Sequence, residues 1–130
     1  MVNWYLDASV ALHALLSNRD WRATDWLGSQ DHIGRIYSSR LLSLELTRVL
    51  RREGLRVELA SEVLARVNLV SLDDDVLHRA ASIETHIRSL DSIHLATCQL
   101  LGPDVILVTH DKGMKQAASS LGRTVFDPLD

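Results

Sequence analysis

Short apolar runs alternate with segments of helical periodicity from one end of this chain to the other, and that alternation leaves few architectures open. Val2 to Leu6 is apolar and aromatic apart from Asn3, too continuous for a half-exposed strand and suited to one buried on both faces. Ala8 to Leu16 places Leu12, Leu15 and Leu16 at helical spacing, and a second short helix is expected over about Asp20 to Leu27. His32 to Tyr37 reads as a strand, with Ser38 and Ser39 as caps for the helix after it. That helix, about Arg40 to Glu53, carries Leu42, Leu46, Val49 and Leu50 as one apolar stripe and stops at Gly54. Val57 to Val67 repeats helical spacing, Asn68 to Leu72 reads as a strand, and Asp73, Asp74 and Asp75 open a helix through Ile83. Ser89 to Leu101 has apolar residues all round its axis, which predicts an interior helix ended by Gly102 and Pro103. Val105 to Val108 is a buried strand, Asp111 to Leu121 a helix closed by Gly122, and Val125 and Phe126 a last strand.

This order predicts an α/β fold, a three-layer α/β/α sandwich around a mainly parallel central sheet. With 130 residues and no repeat or low-complexity segment, a single domain over residues 1–130 is expected. Its core is large enough to need no disulfide framework, which the lone Cys98 could not supply. No signal-peptide pattern and no apolar stretch of about eighteen residues is present, so no membrane association and a cytoplasmic location are expected. In parallel sheets ligands collect beyond the carboxyl ends of the strands, which draws attention to the residues after Leu6 and Val108.

Several chemistries are excluded by the glycines and histidines. The six glycines never assemble the loops that cradle dinucleotides or nucleoside triphosphates, and G-x-S-x-G and H-E-x-x-H are absent. Six histidines show no pair at ligand spacing and have one cysteine to join them, which argues against structural zinc. The net charge of -3 is not that of a strongly basic nucleic-acid binder. Twelve of the fourteen cations are arginine, and Arg48, Arg51, Arg52 and Arg56 run along the third helix and its exit, either as a phosphate track or as a solvated face.

Four acids stand where acids are costly. Asp7 and Asp111 each follow a buried strand and each also suits a helix N-cap. Asp91 lies in the first turn of the interior helix, on the face of Leu95 and Cys98, where the helix dipole is a thin compensation for desolvation and a positive partner is expected. Glu45 sits on the shoulder of its apolar stripe, between Leu42 and Val49, or else pairs with Arg48 on the surface. If the four converge, they make an oxygen-only site suited to the hard ions Mg²⁺ or Mn²⁺, which typically work on phosphates. Seventeen acids in the chain leave convergence open on spacing alone.

Here the sequence resembles the PIN-domain endoribonucleases, and within them the toxins of VapBC-type toxin–antitoxin pairs. The matching pieces are Tyr5-Leu6-Asp7-Ala8-Ser9, Glu45 within Leu44 to Leu50, Leu90-Asp91-Ser92-Ile93-His94-Leu95-Ala96-Thr97, and Val108-Thr109-His110-Asp111. Their order and intervals, and the tail through Asp127-Pro128, extend the resemblance over nearly the whole chain. It implies that Asp7, Glu45, Asp91 and Asp111 are the catalytic and metal-holding acids, with Ser9 and Thr109 as supporting hydroxyls. It further implies Mg²⁺ or Mn²⁺ as cofactor, RNA such as tRNA or rRNA as substrate, a homodimer, and a VapB-type antitoxin whose carboxyl segment covers the cleft. Where the family often has a further acid after the last motif, Gly113, Met114 and Lys115 stand here, a departure that bears on a second metal position. His94 orients a carboxylate, touches RNA or is structural, and Trp21 and Trp26, with residues Ser17 to Leu27 and the third and fourth helices, are candidates for the partner interface.

Two other readings share the α/β order. A phospho-acceptor signalling domain needs an acid pair after the first strand and an acceptor Asp ending a central strand, whereas Asp7 has no acidic neighbour and Asp91 begins a helix. A catalytically inactive PIN-like module that binds RNA or protein would not need all four acids. The triplet Asp73-Asp74-Asp75 lacks the ligand spacing of an EF-hand and is read as a helix cap.

Overall fold

The structure, a computed structural model, describes residues 2–16, 21–29 and 34–130. In chain order the elements are β1 (Val2–Leu6), α1 (Ala8–Leu16), α2 (Trp21–Gly28), β2 (Gly34–Ser39), α3 (Leu41–Arg52), a 3₁₀ turn (Val57–Leu59) running into α4 (Ala60–Leu64), β3 (Asn68–Val70), α5 (Asp74–Ser82), α6 (Ser89–Leu101), β4 (Ile106–Val108), α7 (Lys112–Ser120) and β5 (Val125–Phe126). The five strands form one parallel sheet in the order β3-β2-β1-β4-β5. The order reverses between β1 and β4, so a crevice opens where their carboxyl ends diverge. It also differs from the 2-1-3-4-5 order of receiver-type domains, which removes that alternative on topology.

Strand alternation sends neighbouring side chains into two cores. Leu6 and Val108 join Val10, Leu27, Leu42, Leu46, Leu50 and Val63, from α1 to α4, on one face of the sheet. Tyr5 and Leu107 join Leu95, Cys98, Met114 and Ala117, from α6 and α7, on the other. Helix α5 closes on α6 through Val76, Ala80 and Ala96. Two helical layers around a sheet are what the alternating sequence predicts.

The local differences have local causes. Ser38 and Ser39 are not free caps but the buried end of β2, where Ser38 Oγ donates to the Leu6 carbonyl at 2.6 Å. Ser39 Oγ still accepts from the Leu41 amide at 3.0 Å, so it retains part of a capping role. The segment Val57 to Val67 is not one helix, because i→i+3 bonds tighten both ends and leave only Ala60–Leu64 as α-helix. Helix α6 is interior only in its middle: His94 to Cys98 are buried, whereas Leu90 and Leu100 are 49% and 45% exposed. The predicted strand start at His32 and helix start at Asp20 lie outside the described residues. Gly34 opens β2 at φ 127°, and a Cβ there would fall 1.5 Å from the carbonyl oxygen of its register partner Val2, so only glycine fits.

Candidate active site

Asp7 and Asp111 leave the sheet on the adjacent strands β1 and β4, where the Asp7 amide extends the ladder by donating to the Val108 carbonyl at 3.1 Å. The Asp7 side chain is buried and fully engaged. Its Oδ1 accepts from the amide and hydroxyl of Ser9 at 2.9 and 2.6 Å, and its Oδ2 accepts from Thr109 Oγ1 at 2.6 Å. Ser9 Oγ in turn accepts from the His110 amide, and Thr109 Oγ1 from the Asp111 amide. The two hydroxyls thus lash the loop after β1 to the loop after β4. Burial pushes the Asp7 carboxyl above its ordinary range, and the Ser9 and Thr109 hydrogen bonds oppose that shift without cancelling it. Asp111 caps α7, its Oδ2 accepting from the Met114 amide at 2.8 Å, so the capping and cavity-lining roles coexist in one residue.

Glu45 lies in the second turn of α3, beside the buried stripe of Leu42, Leu46 and Leu50. It does not bond the exposed Arg48. His94 Nε2 donates to its Oε1 at 2.5 Å, and His94 is itself buried. Asp91, in the first turn of α6, meets the positive partner its position demands: Arg88 Nε at 2.9 Å. The same guanidinium reaches Asp111 Oδ1 through Nη2 at 3.4 Å. Sequence reasoning did not name Arg88, although its place one turn before Asp91 was a legible signal.

The four acids line one cavity of about 350 Å³, together with Ser9 and Arg88. The donors facing it are carboxylate oxygens, the chemistry of a hard divalent cation, and an exposed guanidinium stands in for a cation between Asp91 and Asp111. Among the described residues no three acid, histidine or cysteine side chains are drawn to a single point as they would be around an ion. Carboxylates repel one another at close range, and here Asp7 is turned to hydroxyls while Arg88 separates Asp91 from Asp111. The donor set, four carboxyls on one cavity, has the oxygen chemistry of a hard divalent ion, and Arg88 occupies the position on Asp91 and Asp111 for which such an ion would compete.

The remaining candidates fall outside the cavity. Lys115 is turned to the carboxyl-terminal tail, pairing with Asp127 at 2.5 Å and Asp130 at 3.2 Å. Arg48, Arg51, Arg52 and Arg56 are exposed, and Arg52 pairs with its neighbour Glu53. Asp73 caps α5 through the Val76 amide, as its position predicts. Trp26 packs edge-on against Trp4 with ring centres 5.5 Å apart, whereas Trp21 is 69% exposed.

The chain is similar to known proteins over most of its length. Residues 4–119 match the PIN domain family. The chain is 38% identical over 111 residues to Ribonuclease VapC35 of Mycobacterium tuberculosis, covering 80% of each chain. It is 39% identical over 94 residues to Ribonuclease VapC46 of the same organism, covering 70% of this chain and 72% of that one. The structure of VapBC-1 from nontypeable Haemophilus influenzae superposes with a TM-score of 0.73 at 15% identity, over 99% of this chain and 100% of that chain, a likeness of fold.

Proposed function

The chain belongs to the PIN-domain family, among the VapC ribonucleases, and we propose that it is a Mg²⁺- or Mn²⁺-dependent endoribonuclease. In this reading it is one domain over residues 1–130 and the toxin of a type II toxin–antitoxin pair. It cleaves tRNA or rRNA in the cytoplasm and thereby stops translation and growth. The observation that carries the reading is the meeting of Asp7, Glu45, Asp91 and Asp111 in one cavity at the reversal of strand order.

Asp91, Asp111, Asp7 and Glu45 would hold the ion. When bound, it supplies a Lewis acid that lowers the pKa of water and offsets charge on the phosphodiester. The chain's own groups perform the rest. Four carboxyls facing one guanidinium repel an RNA backbone, so productive approach depends on that charge being offset. Ser9 and Thr109 give their hydroxyl hydrogens to Asp7 and so orient it instead of attacking phosphorus. Water is then the nucleophile, and the products carry 5′-phosphate and 3′-hydroxyl ends.

The structural relative from Haemophilus influenzae is a VapBC pair, which supports a VapB-type antitoxin as partner here. The proposed working state of the chain itself is a homodimer. Among the described residues no helix is long and apolar enough to cross a membrane. The test is incubation of purified protein with mixed tRNA and rRNA in Mn²⁺, Mg²⁺ or EDTA, beside Asp7→Asn and Asp91→Asn. Discrete 5′-phosphorylated products that require the ion and both acids are expected. Cleavage that survives EDTA and both substitutions would refute the proposal.

A further inference from the structure

A directed chain of hydrogen bonds runs from the end of β2 to the candidate site. The Ser39 amide, which can only donate, points at the Tyr5 hydroxyl at 3.1 Å, so that oxygen accepts and has one hydrogen left to give. Its partner is His94 Nδ1 at 2.7 Å. Burial pushes the Tyr5 phenol far above its usual range, so the hydrogen stays on oxygen and available. The neighbouring hydroxyls of Ser38 and Thr97 give their own hydrogens to the carbonyls of Leu6 and Ile93. With Nδ1 accepting, the imidazole carries its hydrogen on Nε2 and donates it to Glu45 Oε1. Every group in the relay before Glu45 is buried: Ser39 and Tyr5 are 0% exposed and His94 is 1% exposed.

The geometry points to His94 as the positioning residue for Glu45, held in one tautomer by Tyr5 and the Ser39 amide, an inference that rests on the function proposed above. A glutamate on a helix has three rotatable bonds, and α3 fixes only its backbone. Leu42, Leu46 and Leu50 of α3 belong to one helical layer, whereas the neighbours of His94 on α6 belong to the other. The bond therefore crosses the carboxyl edge of the sheet and holds Glu45 in the cavity it lines. Outer groups that orient an ion's ligands typically change affinity or activity about 10–100-fold when removed.

The test compares His94→Gln with His94→Asn. A Gln amide nitrogen reaches roughly where Nε2 stands, whereas Asn reaches only as far as Nδ1. Expected is a His94→Gln protein close to wild type, and a His94→Asn protein with kcat for RNA and Mn²⁺ affinity by calorimetry both lowered about tenfold or more, KM being unchanged. Equal losses in both variants that track their melting temperatures would mean a merely structural histidine and overturn the inference. A long-range ¹H–¹⁵N spectrum of the wild type, at a pH where the imidazole is neutral, reads the tautomer without metal or RNA. Nε2–H is expected, and Nδ1–H would overturn the inference alone. A wild type that neither binds Mn²⁺ nor cleaves RNA would instead bring down the function on which it rests.

Discussion

Arg88 Nε lies 2.9 Å from Asp91 Oδ2, one turn earlier on the approach to the same helix, and the far end of the guanidinium reaches Asp111. Its side chain is 76% exposed, so the contact is screened and contributes under about 1 kcal/mol to folding. Its consequence for the cavity is larger than for the fold, because it places a permanent positive charge among carboxylates that would otherwise repel.

Replacing Arg88 by Gln is therefore expected to lower the melting temperature in EDTA by no more than a few degrees. In the same variant Mn²⁺ should bind more tightly, since the ion no longer competes with the guanidinium for Asp91 and Asp111. Calorimetric titration with Mn²⁺ checks the second effect, and weaker binding in the variant would contradict it.

Asp7→Asn keeps the shape of a buried carboxyl and removes its charge. Burial raises the folded-state pKa of Asp7 above the unfolded value of 3.8, so the ionised form disfavours folding at neutral pH. Relative to wild type in EDTA, the variant should be advantaged at neutral pH by the lost charge, offset in part by the Ser9 or Thr109 hydrogen bond that its amide nitrogen cannot accept. That advantage should shrink as pH falls through the folded pKa and vanish below the unfolded one. Mn²⁺ should raise the melting point of the wild type and leave the variant unmoved. Thermal melts across pH, with and without Mn²⁺, decide both points.

Asp127 behaves in the opposite sense. Burial would raise its carboxyl, but the hydrogen bonds from Lys115 and His110 outweigh burial and hold it below its ordinary value of 3.8. Its stabilisation is complete above the unfolded pKa and is lost as pH falls through the depressed folded one. Asp127→Asn should cost about 1–3 kcal/mol at neutral pH. The gap from wild type should begin to narrow as pH nears the unfolded value of 3.8 and close only as pH falls through the depressed folded pKa. Urea midpoints from neutral to acid pH measure it, and a gap independent of pH would mean that lost packing, not lost charge, sets the cost.

What the chain states locally, it states well. Helix Ala8–Leu16 and helix Ser89–Leu101 follow from the spacing of apolar residues within each segment, and β1 from a run before Asp7 that is apolar and aromatic apart from Asn3. The acids were legible because a carboxylate after a buried strand, or on the inner face of a helix, is costly wherever the chain goes next. The break in Val57 to Val67 was not legible, because both ends are closed by i→i+3 bonds that helical spacing does not reveal.

The sequence by itself determined the order of elements, the parallel α/β class and the candidate acids, since each depends on short-range periodicity and on the cost of burying charge. Tertiary structure alone decided which groups meet. Strand order brings Ser9 against Thr109 across a separation of 100 residues, and the bond from His94 to Glu45 spans 49. Arg88 is set between two acids that arrive on different elements. Such contacts depend on how the layers stack over the sheet, and no local pattern encodes that distance.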